Sequence, residues 1–241
     1  NNEELYQRLI LDQGYWEESG LTPPTVEALE TDIDKVLEMG YNGVRKHQKI
    51  EDNRFLYLCD KKGLLVWSEV GATYTFDDQA VANFTNEWIE IVQQNYNHPC
   101  IITWVPFNES WGIGDIFVNE AQQKFTEGIY YLTKTFDSMR PVITNDSWEH
   151  TISDIITLHD YEEFGEVFRK RYKNSEVLLS NNIQHNKHRF PFAKGYGDQG
   201  QPVIISEFGG IAFASESGWG YGNQVKDEEA FIQRFESIHQ A

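Results

Sequence analysis

The chain has 241 residues, of which 40% are hydrophobic and 24% charged, and its formal net charge is −18. That length is enough for one full hydrophobic core, and the composition is that of a globular protein, not a disordered one. The acidic balance argues against nucleic acid and anionic membranes as partners, because both carry negative charge. A neutral or weakly polar substrate fits better, and no apolar run reaches the roughly 18 residues of a membrane span.

Short apolar runs alternate with longer amphipathic segments, a pattern typical of parallel α/β folds. In the first half of the chain the pattern predicts strands over residues 5–11, 43–45, 64–67 and 101–105. The first helix is predicted to open at Thr22-Pro23-Pro24 and to stop at Gly40. Two further helices are predicted over residues 55–62 and 81–92.

The second half continues the alternation, with strands predicted over residues 142–144, 154–158 and 203–206. Helices are predicted over residues 117–136, 164–172 and 230–238, and a long polar loop over 180–200. No eighth strand follows, and a complete (β/α)₈ barrel needs about 250 residues. The predicted fold is therefore an incomplete TIM barrel of seven βα units, forming one domain over residues 1–241.

The two cysteines, Cys59 and Cys100, have neither metal nor redox spacing. Both fall on apolar segments, which favours buried free thiols over a disulfide and indicates a reducing, cytoplasmic location. The chain begins at Asn1 with no initiator Met and no signal-peptide pattern. We expect it to be a piece of a longer, multidomain protein.

Carboxylates stand at the ends of several predicted strands, where TIM barrels carry their catalytic groups. Two of them, Glu109 and Glu207, follow the apolar runs of the fourth and seventh strands. Each could simply pair with an arginine or cap a turn, but strands four and seven face each other across a barrel mouth. Glycoside hydrolysis uses two such carboxyl groups. The other carboxylates at strand ends are Glu69, Asp146 and Asp160.

The residues around both glutamates match motifs of a known family. Trp104-Val105-Pro106-Phe107-Asn108-Glu109 resembles the acid/base motif of glycoside hydrolase family 2, and Ile205-Ser206-Glu207-Phe208-Gly209 resembles its nucleophile motif. Residues 43–47 and 58–66 resemble the family's stretch from the second to the third strand. The resemblance implies a barrel, a retaining mechanism without a cofactor, Glu109 as acid/base and Glu207 as nucleophile.

The resemblance also implies roles for neighbouring residues. Asn108 corresponds to the asparagine that binds the sugar 2-hydroxyl, and Arg45 and Tyr161 correspond to groups that support the nucleophile. A cation and a phenol donor beside Glu207 would keep it ionised. The family's N-terminal sandwich domains and its eighth barrel strand have no counterpart in this sequence.

Aromatic and histidine side chains near the strand ends are further candidates for sugar binding. Trp111 and Trp148, like Trp16, lie in loops after strands, where they either stack on sugar faces or only pack. His47 and His159 end strands and are candidates for a hydrogen bond to a sugar hydroxyl. His185 and His188 are expected to be solvated, and no histidine has metal-ligand spacing. The glycine runs at 195–200 and 218–222 are expected to be flexible loops.

The sequence thus predicts a retaining exo-β-glycosidase of β-galactosidase or β-glucuronidase type, acting on a carbohydrate. Two alternatives stay open. One is an endo-acting glycanase of a related family, and the other is a structural or sugar-binding barrel fragment without activity. The sequence does not distinguish among the sugars, because groups around C4 and C6 of the glycone decide that choice.

Overall fold

A computed structural model of the chain describes residues 3–182, 188–213 and 219–241. Helices alternate with parallel strands along most of the chain, as predicted. The elements in order are β1 Leu9–Asp12, α1 Val26–Glu38, β2 Gly43–Lys46, α2 Asn53–Lys62, β3 Leu65–Glu69, α3 Asp78–Asn95, β4 Ile101–Val105, β5 Phe107–Asn108, α4 Glu120–Phe136, β6 Asn145–Asp146, β7 Ile156–Asp160, α5 Gly165–Arg171, α6 Ser175–Leu178, β8 Val203–Phe208, β9 Ile211–Phe213, β10 Tyr221–Val225 and α7 Glu228–His239.

The strands follow one another in space in the order of the sequence. β1 to β4 form a four-stranded parallel sheet, β5 pairs with β6, and β7 pairs with β8. A parallel bridge between Trp104 and Val142 joins β4 to the fifth strand position. Consecutive parallel strands with helical crossovers are the arrangement of a TIM barrel.

The barrel is open between its last and first strands. Within the described residues β8 and β1 are not hydrogen-bonded to each other, and a cleft of about 1230 Å³ separates them. The cleft is lined by β1, β8 and α7. The prediction of seven strand positions without an eighth is therefore confirmed for the described part of the chain.

The fifth strand is shorter and more broken than predicted. Instead of a continuous strand over 142–144, there is the bridge at Val142 and the two-residue β6. Side chains of the following turn supply the missing backbone partners: Asp154 Oδ2 accepts from Val142 N at 2.8 Å, and Ser153 Oγ accepts from Thr144 N at 3.3 Å. Such side-chain bonds compete with a strand ladder, and β7 accordingly begins at Ile156, not at Asp154.

Other boundaries move for similar local reasons. Thr25 caps α1 by accepting from Ala28 N at 3.1 Å, so the predicted opening at Thr22 is wrong. Asn119 caps α4 in the same way, which leaves Phe117 outside the helix. β1 begins at Leu9, four residues later than predicted, and the residues before it are exposed.

The short strands β9 and β10 were not predicted. Tyr221–Val225 is a strand paired with β9, so the prediction of a flexible loop over the second glycine run is wrong there. Aromatic packing and an arginine hold the strand: Tyr221 stacks on Tyr161 with ring centroids 3.4 Å apart, and Arg234 donates to Tyr221 O at 2.7 Å. Gly218, like His185, lies outside the described residues.

The main hydrophobic core lies between β2–β4 and helices α1 to α4. The two tryptophans buried in this core have hydrogen-bond partners: Trp88 donates to Thr133 Oγ1 at 2.8 Å, and Trp104 donates to Asp137 Oδ2 at 2.9 Å. Cys59 and Cys100 are free and buried in this core, as predicted, and burial raises the pKa of both thiols. In the described part of the chain, every helix is too short or too polar to cross a bilayer.

Gly43 allows β1, β2 and β3 to pack closely at the start of the sheet. A Cβ at this position would overlap Leu9 Cδ2 and lie 2.8 Å from the backbone oxygen of Leu65. We expect Gly43→Ala to lower the free energy of unfolding by about 1–3 kcal/mol, because the neighbouring strand must move to relieve the overlap. Urea denaturation measures this change.

Gly114→Ala is the matched control, since an added Cβ there meets nothing within 4 Å. Its stability should stay within about 0.5 kcal/mol of the parent chain. Equal stability of the two variants would contradict the close packing at Gly43.

Candidate active site

A buried arginine on β2 organises the carboxyl ends of the strands. Arg45 is 2% exposed, and its guanidinium lies against acceptors from four other strands. Nε donates to Glu69 at 2.8 Å, and Nη2 lies 2.8 Å from Asp146 Oδ2 and donates to Asn108 Oδ1 at 2.9 Å. Nη1 donates to Glu207 Oε1. One cation thus ties together the ends of β3, β5, β6 and β8.

The surroundings of Glu207 keep this carboxylate ionised. Burial alone would raise its pKa, but the charges of Arg45 and His159 outweigh burial and lower it. Tyr161, just beyond β7, donates its hydroxyl to Glu207 Oε2. Burial and the charge of Glu207 raise the pKa of Tyr161, so it remains a phenol that donates.

The other two carboxylates around Arg45 respond differently to burial. Burial opposes ionisation of Asp146, yet Arg45 and His159 hold its pKa well below the usual range. For Glu69, burial dominates and raises the pKa to about 8, although Arg45 acts against it. At neutral pH the network therefore holds Asp146 and Glu207 ionised, whereas burial makes ionisation of Glu69 the least favourable of the three.

Glu109 follows β5 in an unusual backbone conformation. Its φ is +51° and that of Ser110 is +58°, in the left-handed region that side chains other than glycine rarely adopt. Hydrogen bonds from the fifth strand position hold both residues there: Asp146 O accepts from Glu109 N at 2.9 Å, and Asn145 Oδ1 accepts from Ser110 N at 3.0 Å. Such strain is typical of functional sites.

His159 on β7 lies between the two candidate catalytic carboxylates. Its Nδ1 is 2.8 Å from Glu109 Oε1, and its Nε2 is 3.1 Å from Asp146 Oδ2 and 3.5 Å from Glu207 Oε1. One carboxylate oxygen of Glu109 lies within 4.8 Å of one of Glu207. The mouth of the barrel therefore brings together two glutamates on opposite strands, as predicted from the sequence.

Two of the other candidates border this cluster. His47 Nε2 lies 3.8 Å from Glu207 Oε1 and 3.3 Å from Asn108 Nδ2, and burial and the charge of Arg45 lower the pKa of His47. Trp148 is 7% exposed and meets the His159 ring edge-on at 5.6 Å. The indole Nε1 of Trp148 has no hydrogen-bond partner among the described residues.

The side chains of the remaining candidates form no hydrogen bond with this cluster within the described residues. Trp111 is 49% exposed at the rim, where its ring lies 5.7 Å from that of Tyr74. Trp16 packs against the main core, and His188 is exposed. Trp111 offers a solvent-facing surface beside the cluster, since it follows Glu109 by two residues.

Two residues that complete the site were not predicted to belong to it. Asp146 and Glu69 were noted as carboxylates at strand ends, but nothing in the sequence linked them to Arg45. The signal was their common position: each ends a strand, Glu69 on β3 and Asp146 on β6. Asp160 ends a strand as well, yet it bonds outward to Tyr172 Oη at 2.8 Å.

Among the residues that the structure describes, two groups of side chains have the spacing of metal ligands. Glu109, His159 and Glu207 form one, but their atoms are engaged with one another and with Arg45 and Tyr161. The other combines Asp60, His98 and Cys100. There His98 and Asp60 pair at 2.7 Å, and Cys100 has a raised thiol pKa, which disfavours the thiolate that a metal needs. We assign neither group to a metal.

A parallel barrel with two close carboxyl groups at its mouth has the arrangement that glycoside hydrolysis uses. Residues 23–236 match the family model described as glycosyl hydrolases family 2, TIM barrel domain. The chain therefore belongs to glycosyl hydrolase family 2 and contains its TIM barrel domain.

Relatives of known sequence agree with this assignment. The chain is 30% identical over 182 residues, or 69% of its length, to a β-galactosidase of Thermoanaerobacter pseudethanolicus. It is 30% identical over 135 residues, or 52% of its length, to a β-glucuronidase of Bacteroides fragilis. The matches span 24% and 19% of these two proteins, so the chain corresponds to a minor part of each.

Solved structures share the fold. A family 2 β-galacturonidase from Eisenbergiella tayi, bound to galacturonate, superposes with a TM-score of 0.71 at 21% identity, covering 97% of this chain and 40% of that one. β-Glucuronidase 2 of Bacteroides uniformis, covalently bound to cyclophellitol-6-carboxylate aziridine, gives 0.70 at 20% identity, covering 98% and 29%. The barrel is thus common to these proteins.

Removing the central cation should destabilise the barrel mouth. In Arg45→Gln, the buried Asp146 and Glu207 lose the charge that offsets their desolvation. We expect the free energy of unfolding at pH 7 to fall by about 3–5 kcal/mol, the typical effect of breaking a buried ion pair. Chemical denaturation at several pH values measures it, with Arg54→Gln as the control at an exposed pair with Asp52.

The pH dependence distinguishes an electrostatic effect from loss of packing. Arg45 lowers the folded-state pKa of Asp146 and Glu207, so its contribution is present above their ordinary pKa values and disappears as pH falls through the lowered ones. The difference between Arg45→Gln and the parent should therefore be nearly constant from pH 7 down to about pH 5 and should shrink below that pH. A difference that stays constant below that pH would contradict the assignment, and Arg54→Gln should show a much smaller change with pH because its pair with Asp52 is exposed to solvent.

Proposed function

We propose that this barrel is the catalytic unit of a retaining exo-β-glycosidase. The observation that carries the proposal is the approach of the Glu109 and Glu207 carboxylate oxygens to within 4.8 Å. Retaining glycosidases hold their carboxyl groups about 5–5.5 Å apart, whereas inverting enzymes need about 6.5–9.5 Å to admit a water molecule. The spacing supports direct attack by one carboxylate on the sugar.

In the first step Glu207 is the nucleophile. Arg45 and the Tyr161 hydroxyl keep it ionised and fix its orientation, so that a free oxygen lone pair can attack the anomeric carbon. Glu109 gives a proton to the glycosidic oxygen as the bond to the leaving group breaks. The product is a glycosyl ester on Glu207 and a free alcohol.

In the second step Glu109 changes from an acid to a base, and Glu207 becomes the leaving group. Glu109, now ionised, takes a proton from water, and the water oxygen attacks the anomeric carbon from the side that the alcohol left. The ester bond to Glu207 breaks and the carboxylate returns to its ion pair with Arg45. Two displacements at one carbon give net retention of the β-configuration.

The relative depth of the two glutamates supports cleavage at a chain end. The Glu207 side chain is 7% exposed, whereas that of Glu109 is 24% exposed. A terminal sugar can occupy the buried end, and the rest of the substrate then extends past Glu109 toward solvent. The half-exposed Trp111 follows Glu109 on that outer side and offers a flat apolar face to the leaving group.

Groups at the buried end fit a sugar with several hydroxyls. We assign the 2-hydroxyl to the Nδ2 donor of Asn108, because Arg45 fixes Oδ1 of the same amide on the other side. His47 adjoins this amide. Trp148 contributes an indole N–H without a partner in the described residues, which a sugar oxygen can accept.

Replacing the nucleophile tests the assignment. In the full-length protein, Glu207→Ala should reduce turnover of aryl β-galactosides or β-glucuronides by on the order of 10⁴-fold or more, because no covalent intermediate can form. A variant that keeps more than about a tenth of the activity would contradict the assignment of Glu207 as the nucleophile. Glu127→Gln, on α4 and away from the mouth, is the control and should retain full activity.

The acid/base assignment predicts a different response in Glu109→Ala. Substrates with a good leaving group should still form the glycosyl enzyme, since they need little proton donation, but its hydrolysis should slow at least about 100-fold. Azide should restore turnover and give a β-glycosyl azide, detected by NMR. An α-glycosyl azide, or no rescue, would contradict the retaining mechanism.

Product analysis separates exo from endo cleavage. With a β-linked oligosaccharide labelled at its reducing end, we expect monosaccharide alone as the released sugar at the earliest times, because the buried end accepts one terminal ring. Mass spectrometry of time points provides the measurement. Early release of unlabelled di- or trisaccharides would favour the endo-acting alternative instead.

The two buried free thiols support a cytoplasmic location for this protein, because free thiols persist in reducing compartments. Recovery of the protein from the secreted fraction of its source cells would contradict that proposal.

A further inference from the structure

Both ring nitrogens of His159 are engaged by carboxylates. Nδ1 is 2.8 Å from Glu109 Oε1 and Nε2 is 3.1 Å from Asp146 Oδ2, and the side chain is fully buried. As a ligand for a sugar hydroxyl, the role predicted from the sequence, His159 would have to break one of these contacts. Its position between two carboxylates suits a different task, which is to hold and move a proton.

We propose that His159 is a positioning residue that stores the catalytic proton for Glu109, forming a relay Asp146–His159–Glu109 across β6, β7 and the end of β5. This inference rests on the proposed function, since it assigns the source of the proton that Glu109 delivers. It adds a residue that acts only through Glu109 and does not touch the substrate.

The proton movements balance over one turnover. Before glycosylation His159 is an imidazolium, with Nδ1–H directed to the carboxylate of Glu109 and Nε2–H to that of Asp146. As the glycosidic bond breaks, the Nδ1 proton passes to Glu109 and one proton passes from Glu109 to the leaving oxygen. His159 is then neutral, and Nε2–H remains bonded to Asp146.

Deglycosylation reverses these movements. Glu109 accepts a proton from the attacking water, and Nδ1 of His159 takes one up from Glu109. The ester bond to Glu207 breaks, so the carboxylate of Glu207 and the imidazolium of His159 form again together. No oxidant, metal or further acid is needed.

The groups around His159 favour the imidazolium in the free site. Among the described residues, three carboxylates face it, namely Glu109, Asp146 and Glu207. Burial lowers its pKa, but the charges of Asp146 and Glu207 and the hydrogen bonds to Asp146 and Glu109 outweigh burial and raise it to about 9.

The basic groups near His159 are either paired or neutral. Arg45 is already paired with Glu69, Asp146 and Glu207. Burial lowers the pKa of His47, and it lowers that of His150 to about 4, so both rings are mainly neutral at neutral pH. The Trp148 ring and the Tyr161 phenol, which also border His159, are uncharged.

Formation of the glycosyl ester changes this balance in the required direction. Glu207 is one of the charges that raise the pKa of His159, and the ester is neutral. Esterification therefore lowers the affinity of His159 for its proton at the stage when the proton has left. Hydrolysis restores the charge of Glu207 and with it the imidazolium.

The first test follows His159 in the unmodified protein. With ¹⁵N-histidine labelling, we expect the NMR signals of His159 to show an imidazolium at about pH 7.5, below its raised pKa. We expect a neutral ring with Nε2–H after trapping Glu207 with a 2-deoxy-2-fluoro-β-galactosyl or -glucuronyl fluoride. An imidazole that is neutral at that pH in the free protein, or one that stays charged in the trapped form, overturns the relay.

The same experiment separates this inference from the proposed function. If neither fluoride labels Glu207, the glycosidase assignment fails. If Glu207 is labelled and His159 does not change charge, only the relay fails. Signal assignment uses His159→Gln as the reference spectrum.

The second test uses His159→Gln in the full-length protein. A glutamine amide cannot carry the proton, so we expect kcat/KM to fall about 100-fold or more for alkyl or phenyl glycosides, the usual scale of general acid catalysis. For dinitrophenyl glycosides the loss should stay within about 5-fold, because they need little protonation. The alkaline pH at which kcat/KM falls should also move down by about one unit or more.

The control variant is His98→Gln. It removes another histidine–carboxylate pair, in which His98 Nδ1 lies 2.7 Å from Asp60 Oδ2 outside the mouth, and it should leave kcat/KM unchanged for both substrate classes. An equal loss for good and poor leaving groups, with an unshifted pH profile, would show that His159 only supports the structure and would overturn the proposal.

Discussion

The burial of a single guanidinium sets the geometry of the barrel mouth. Arg45 lies at the end of β2 with almost no exposure, and removing such a charge from water costs several kcal/mol unless it is fully paired. The barrel provides the pairing from β3, β5, β6 and β8 at once. Each of those strands must therefore end at the right height and angle, so one ion-pair network fixes the relative positions of residues far apart in sequence.

The excess of negative charge around Arg45 gives the three carboxyl groups beside it different pKa values. Three carboxylates share one arginine, and the structure settles the excess negative charge in two ways. Burial raises the pKa of Glu69 above its usual range, whereas Asp146 and Glu207 keep their charge with help from His159. Identical chemical groups thus differ in pKa because of their neighbours, which is also how environment separates the two carboxyl groups of glycosidases.

The sequence predicts the parts of this protein in which local pattern and tertiary structure agree. β4 spans residues 101–105 as predicted because its apolar run is buried along most of its length. The prediction of a continuous fifth strand is wrong because Ser153 and Asp154 accept hydrogen bonds from backbone groups that a strand ladder would use. β10 was not predicted because the residues that hold it, Tyr161 and Arg234, are distant from it in sequence. The two glutamates were identifiable from their strand ends, but the contacts of His159 depend on how three strands meet.

The buried cysteines give this barrel a chemical reporter of its own unfolding. Cys59 and Cys100 are enclosed in the core between α1 to α4 and the sheet, and burial keeps both thiols protonated, hence poorly nucleophilic. An alkylating or disulfide reagent in the solvent reacts with a thiolate that it can reach, so labelling requires the helical layer to open. The rate of modification therefore reports the opening of that half of the barrel under native conditions, without any denaturant or engineered residue.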